Sequence, residues 1–257
     1  MDVSTKAPAP DFRLDGRRVL VTGAGRGIGL AASLALARYG AQVTLTARSA
    51  DELEAAADQV RAAGGVAETL PLDLRNSNGV AAALAERPAF DVLVNNAGMN
   101  RTAPFLDVPQ QDFDDIIGLN VRALYFTAQA VARGMASAGR GGSIINMSSQ
   151  MGHVGAPTRT VYCASKWAVE GMTRAMALDL APYGIRVNTI GPTFVETPMS
   201  GAFLKDDTFK ATVLSKIKLG RIGHVDDITG AIVFLASGAS ALMTGASMVI
   251  DGGWTAD

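Results

Sequence analysis

From about residue 18 onward the chain alternates short apolar, β-branched runs with longer stretches whose apolar residues recur at three- and four-residue spacing. That rhythm leaves few folds open, because short buried strands joined by amphipathic helices must lie parallel in a sheet covered on both faces. Seven strands are expected, at Arg18–Thr22, Gln42–Ala47, Ala67–Pro71, Val92–Asn95, Ser143–Ser148, Arg186–Ile190 and Ser247–Ile250. Helical patterns lie between them at Gly27–Tyr39, Asp51–Ala63, Ser77–Glu86, Gln110–Met135, Val161–Leu180 and Asp226–Ser237. Gly64-Gly65, Gly139 to Gly142 and Gly191-Pro192 break the pattern too briefly to be domain linkers. A chain of 257 residues suits one core of this kind, so a single α/β domain is expected over residues 1–257. Residues 1–16 form an N-terminal extension, and 192–216, where Pro, Thr, Gly and Asp interrupt apolar residues, reads as a lid over the substrate side.

The first strand ends in Thr22-Gly23-Ala24-Gly25-Arg26-Gly27-Ile28-Gly29 and runs directly into an alanine-rich helical pattern. Glycines there let the backbone turn tightly, approach a pyrophosphate and pack the helix on the sheet, while the helix start offers free N–H groups and positive dipole. A dinucleotide is expected on Gly23, Gly25, Arg26, Gly27, Ile28 and Gly29, in a Rossmann-type doubly wound sheet of seven parallel strands with helices on both faces. With 28 glycines in the chain a lone match would be weak; its place after the first strand of a βαβ unit gives it force. The spacing is Gly-x-x-x-Gly-x-Gly, with Gly25 offering a partial second register.

The second strand ends Thr46-Ala47-Arg48-Ser49, with no carboxylate before Asp51 to receive a ribose 2′-hydroxyl. Arg48, helped by Arg26, can pair a 2′-phosphate through its planar fork, which favours NADP(H) over NAD(H). A merely solvated Arg48 would leave NAD acceptable. Asp73-Leu74 follows the third strand, where the carboxylate either accepts from an adenine amino group or caps a helix. Asn96-Ala97-Gly98 ends the fourth, its small residues letting backbone lie against the adenosine half while the amide fixes the loop.

Chemistry is suggested further on. Tyr162 and Lys166, four apart in a helical pattern, share one helix face. The ammonium is expected to favour the phenolate, lowering a phenol pKa that ordinarily lies near 10, so that Tyr162 works as acid or base at neutral pH. Composition alone can produce such a pair, so its neighbours matter. Ser149, at the end of the fifth strand, either hydrogen-bonds a substrate oxygen or satisfies the strand end. Asn120 interrupts an apolar helical run; it either holds a water that relays protons from Lys166 or satisfies a local helix bulge.

Together these motifs resemble the short-chain dehydrogenase/reductase family in its single-domain branch, over nearly the whole chain. The resemblance implies an oxidoreductase moving hydride between NAD(P) and a carbonyl or secondary alcohol, with Asn120, Ser149, Tyr162 and Lys166 catalytic. It also implies that Tyr162, Lys166, Pro192, Val195 and Thr197 bind the nicotinamide half. One departure is Pro192-Thr193 where the family often has Pro-Gly, which narrows the space beside the nicotinamide. A homotetramer is implied as well, built through Gln110–Met135, Val161–Leu180 and the last strand. The segments Asn96 to Arg101 and Val249 to Trp254 look most like members acting on sugars, polyols or sugar acids. Arg101, Gln150, His153, Arg159 and Glu196 could pair hydroxyls or a carboxylate. Met151, Val154, Phe194, Met199, Phe203 and Leu204 could equally line an apolar ketone pocket. His153 reads as a binding or structural residue rather than a second acid/base.

A net charge of −1 gives no footprint for nucleic acid or an anionic membrane, and small-molecule partners fit better. Cys163, the single cysteine, can form no internal disulfide, and no metal site is expected. No run reaches the roughly 18 apolar residues of a membrane span and no leader pattern opens the chain, so a cytoplasmic protein is expected. A 3-oxoacyl-thioester reductase and a non-catalytic dinucleotide sensor stand as the alternative readings.

Overall fold

The structure, a computed structural model, describes residues 10–201 and 203–256. Its strands are β1 (Arg18–Thr22), β2 (Gln42–Ala47), β3 (Val66–Pro71), β4 (Val92–Asn95), β5 (Gly142–Met147), β6 (Ile185–Pro192) and β7 (Ser247–Ile250). They form one sheet in the order β3-β2-β1-β4-β5-β6-β7, with every neighbouring pair parallel. The strand order reverses between β1 and β4, and a crevice opens there at the carboxyl ends, where open α/β sheets take their ligands.

Alternation along each strand sorts the core into two layers. Val19 and Val21 of β1, with Val43 and Leu45 of β2, pack beneath α1 (Gly27–Arg38), α2 (Ala50–Ala62) and α9 (Asp226–Ala236). On the other face Leu20, Leu93, Ile144 and Val187 meet α3 (Ser77–Ala85), α5 (Leu124–Ala138) and α6 (Thr160–Leu180). The expected N-terminal extension is not wholly separate: Leu14 is buried in the first layer and its N–H donates to the Tyr39 carbonyl at 2.7 Å. Residues 1–9 of that extension lie outside the described residues.

The expected Gln110–Met135 helix is interrupted. It comprises α4 (Gln110–Ile117), a π-helical turn over Gly118–Ala123, and α5. The widened turn carries Asn120, fully buried, whose side chain needs polar partners that a regular helix packed on the sheet would not offer. The expected lid segment holds α7 (Pro198–Gly201) and α8 (Asp207–Lys216), the latter capped by Asp206, which accepts from the Phe209 N–H at 3.0 Å. Among the described residues no helix is long and apolar enough to cross a membrane.

Candidate active site

The glycine turn is shaped by three positions. Gly23 and Gly27 have φ of +64° and +58°, left-handed values that side chains rarely adopt. A Cβ on Gly29 would stand 2.2 Å from the Gly23 carbonyl oxygen, so α1 can seat on the turn only through a bare backbone. Asn96 straps the turn from the next strand: its N–H donates to Thr22 Oγ1 and its Nδ2 to the Thr22 carbonyl, both at 2.9 Å. The Ala97 N–H shares Thr22 Oγ1 at 2.9 Å. The helices α2 and α3 begin with side-chain caps from Ser49 and Asn76, whereas α1 has no side-chain cap and no acid in its first turn. Its N–H groups are thereby left for an anion, and this end of the crevice fits the pyrophosphate of a dinucleotide.

Arg48 is exposed at the end of β2 and has no ion pair among the described residues. Arg26 reaches back to Glu52 Oε1 at 3.4 Å. Asp73 accepts from the Arg75 N–H at 3.0 Å, closing its own turn, and the Leu74 side chain is buried in the second core layer.

The chemical end gathers on a cleft of about 810 Å³, open mouth included, which also reaches Ile28, Asn96, Gly98, Pro192, Val195 and Thr197. Ser149, Tyr162 and Lys166 line it together. Ser149 leaves the sheet just beyond β5, its hydroxyl donating to Gln150 Oε1 at 2.7 Å and accepting from the Met151 N–H at 3.2 Å. Tyr162 and Lys166 rise one turn apart from the start of α6, with the Lys166 Nζ 5.5 Å from the centre of the Tyr162 ring.

The expected lowering of the Tyr162 phenol is not what the structure gives. Burial pushes it up to about 12, against the opposing hydrogen bond with Ser149 and the charge of Arg159. Lys166 Nζ donates to the Met147 carbonyl at 2.9 Å, and burial pushes this ammonium down to about 8, with Glu170 opposing. Dehydration therefore outweighs the short helical spacing from which the opposite shift was inferred.

Asn120 does not line the cleft. Its Oδ1 accepts from the Met99 N–H at 2.8 Å, while Nδ2 donates to the Met99 carbonyl at 2.9 Å and to Ser165 Oγ at 3.1 Å. The amide thus pins the loop after β4 to α6.

Of the six expected substrate residues, Gln150, Arg159 and Phe203 line the cleft. Arg101 lies outside it, drawn to Asp112 and Asp115 of α4 at 2.6 and 2.8 Å. Glu196 is exposed beyond it, its N–H bound to the Gly223 carbonyl at 2.8 Å. His153 sits behind it, with Nε2 3.0 Å from Ser247 Oγ and 3.4 Å from the buried Glu170 carboxylate. Met151, Phe194 and Met199 join the wall, whereas Val154 and Leu204 do not. Polar atoms of Asn100, Ser148, Arg159 and Thr193 are buried at the wall without a hydrogen-bond partner. Sequence reasoning missed Asn100, and it read Thr193 for bulk rather than for its hydroxyl.

A dinucleotide cradle opening onto a buried hydroxyl, phenol and ammonium is the layout of an oxidoreductase that passes hydride between a nicotinamide and a carbonyl or alcohol. Residues 23–255 match the family model described as enoyl-(acyl carrier protein) reductase. D-erythrulose reductase of Gallus gallus is 40% identical over 245 residues, covering 95% of this chain and 98% of that protein. Gluconate 5-dehydrogenase of Gluconobacter oxydans is 39% identical over 251 residues, covering 96% and 98%. A gluconate 5-dehydrogenase from Burkholderia cenocepacia, solved in complex with NADP and tartrate, superposes with a TM-score of 0.93 at 38% identity, covering 96% of this chain and 98% of that one. The chain belongs to the short-chain dehydrogenase/reductase family and is an NAD(P)-dependent oxidoreductase.

Proposed function

We propose that the protein interconverts a carbonyl and a secondary alcohol on a small polyhydroxylated molecule, a sugar, polyol or sugar acid, with NADP(H) preferred. The observation that carries this reading is the meeting of Ser149, Tyr162 and Lys166 in the cleft that also receives Ile28 of the glycine turn. Asn100, Gln150, Arg159 and Thr193 among the lining residues favour a hydroxylated ligand over a plain ketone, since each brings polar groups to the wall. Held by the turn from Gly23 to Gly29 and the uncapped start of α1, a dinucleotide would supply or accept the hydride. Ser149 and Tyr162 hold the substrate oxygen; Tyr162 gives its proton to that oxygen in reduction and takes the hydroxyl proton in oxidation. Lys166, its Nζ 5.5 Å from the centre of the Tyr162 ring, would bind the nicotinamide ribose beside the phenol. Pro192, Val195 and Thr197, which line the cleft, would flank the nicotinamide. Asn120 supports the catalytic set as a positioning residue, its side chain tying Met99 of the loop after β4 to Ser165 of α6.

The preference for NADP(H) rests on Arg48, which has no ion pair among the described residues, and three of the similar solved structures hold NADP. Residues 1–257 act as one domain, with 192–216 as the lid. The protein assembles as a cytoplasmic homotetramer through its long helices, where Phe113, Tyr125, Trp167 and Leu178 are exposed large apolar side chains. The test is a panel of ketoses, keto acids and their alcohols with both dinucleotides, run in each direction. Turnover of polyhydroxylated members is the expected result; tight dinucleotide binding with complete inertness would overturn the reading in favour of a sensor.

A further inference from the structure

Two cations, Arg159 and Lys166, line the cleft, and no lining residue is acidic. Lys166 has the Met147 carbonyl as its partner. Arg159 is 6% exposed and has no ion pair among the described residues. Its guanidinium lies between the rings of Phe194, Phe203 and Phe209, at 5.7, 5.7 and 5.1 Å from their centres. Among the described residues its one hydrogen bond is a long contact of 3.4 Å to the Pro157 carbonyl, and Nε has none.

Burying a charge without a counter-charge is costly. The ring faces offset part of that cost, but an aromatic face is no hydrogen-bond acceptor of carboxylate strength, and the guanidinium donors are left with the one long contact to Pro157. What meets a planar fork of donors best is a planar, two-pronged acceptor. The approach to this residue is also strained: Thr158 has φ of +60°, a left-handed value that is rare for a β-branched residue, and the Ala103 N–H clamps its carbonyl at 3.1 Å. Arg159 then precedes Tyr162 by three residues, so the cation and the phenol open from the same turn of chain onto the same cleft.

We propose that Arg159 is a carboxylate anchor and that the substrate is a hydroxy or oxo acid, held by its carboxylate in the aromatic box while its secondary alcohol or carbonyl lies at Tyr162. The proposal rests on the oxidoreductase reading above and narrows its substrate class from neutral or acidic polyhydroxy compounds to acidic ones. A carboxylate suits the site better than a phosphate ester does, because one fork in an apolar box meets a single negative charge.

The test compares matched ligands of equal carbon number that differ only at one end: D-glycerate with glycerol, D-erythronate with erythritol, D-ribonate with ribitol and D-gluconate with D-glucitol. Binding to the enzyme saturated with NADPH, which leaves an alcohol no hydride acceptor, is measured by calorimetry, so the result does not depend on turnover. At least one acid is expected to bind roughly 10- to 100-fold more tightly than its alditol, the range of a charge-assisted hydrogen bond. In Arg159→Leu that preference is lost, and Arg159→Lys recovers part of it. Dinucleotide affinity measured on both variants reports whether the fold is intact. Equal affinity for every acid and its alditol in the natural protein overturns the proposal while leaving the oxidoreductase reading standing, as does tighter binding of D-glucitol 6-phosphate than of D-gluconate. Acid binding with no turnover of any acid or alditol sinks the oxidoreductase reading and keeps the anchor.

Discussion

Replacing Gly29 by alanine tests how tightly the glycine turn is built. The added carbon would stand 2.2 Å from the Gly23 carbonyl oxygen and 2.7 Å from Asn96 Nδ2, against the 3.0 Å below which real contacts essentially never fall. The start of α1 must withdraw by about 0.8 Å, and neither neighbour gives easily: one is backbone, the other an amide already bonded to Thr22. Overpacking of this kind costs about 1–3 kcal/mol. At the upper end, Tm falls by roughly 6–12 °C for a chain of this size. The same withdrawal carries the α1 N–H groups away from a pyrophosphate, and weakening one charge-assisted hydrogen bond raises Kd roughly 10- to 100-fold. Thermal melts and NADPH fluorescence titrations measure both. Gly134→Ala is the control, since its carbon would lie an ordinary 3.8 Å from Ala89 Cβ within α5. It should keep dinucleotide affinity and gain about 0.5–1 kcal/mol. A Gly29→Ala protein that melts and binds like its parent would refute the close-approach argument.

Tyr162→Phe should keep dinucleotide affinity and lose roughly 10²- to 10⁴-fold in turnover; near-normal rates would remove Tyr162 from the mechanism. Burial holds Lys166 at about 8 against its ordinary 10.5, so between those pH values the unfolded chain retains a proton the folded chain has released, and stability rises with pH. Tyr162 reverses the trend above about pH 10, because its folded value is about 12 and the unfolded phenol ionises first. Denaturation midpoints of the natural protein and Lys166→Met from pH 7 to 9.5 check this, and equal slopes would contradict it. Arg48→Ala should weaken NADPH binding about tenfold while sparing NADH. Glu52→Gln releases Arg26 from its exposed pair and should tighten NADPH about 2- to 5-fold, in line with what such pairs contribute; an unchanged NADPH-to-NADH ratio in both variants would undo the 2′-phosphate assignment.

The sheet was legible in the sequence because buried parallel strands are short, β-branched and bounded by glycine, and the observed strand limits fall within two residues of those expected. The π turn was legible only as one of two readings of Asn120, the local helix bulge, since Gly118 to Ala123 otherwise continues the apolar spacing of the flanking helices. The glycine turn and the Tyr162–Lys166 pair are local patterns, so spacing located them. The cleft wall is assembled from loops after β4, β5 and β6, and proximity in sequence says little about which side chains turn inward. Arg101 follows a cleft residue directly, yet Asp112 and Asp115 draw it outward. The Tyr162 phenol was misjudged for a related reason: a four-residue spacing reveals a neighbouring charge but not the burial that overrides it.

The reversal of strand order between β1 and β4 divides the protein's tolerance of change. Loops after β1 and β2 carry the glycine turn and Arg48, whereas those after β5 and β6 carry the acid/base group and most of the cleft wall. The two sets come from opposite halves of the sheet, and Asn96, which lies on the cleft wall, also straps the glycine turn through Thr22. Variation in the β6 to α8 segment can therefore retarget the chemistry to a new acid or alcohol while the dinucleotide half stays as it is. In a mutational scan this predicts two separable phenotypes, altered substrate choice and altered cofactor affinity, with Asn96 among the few positions that disturb both.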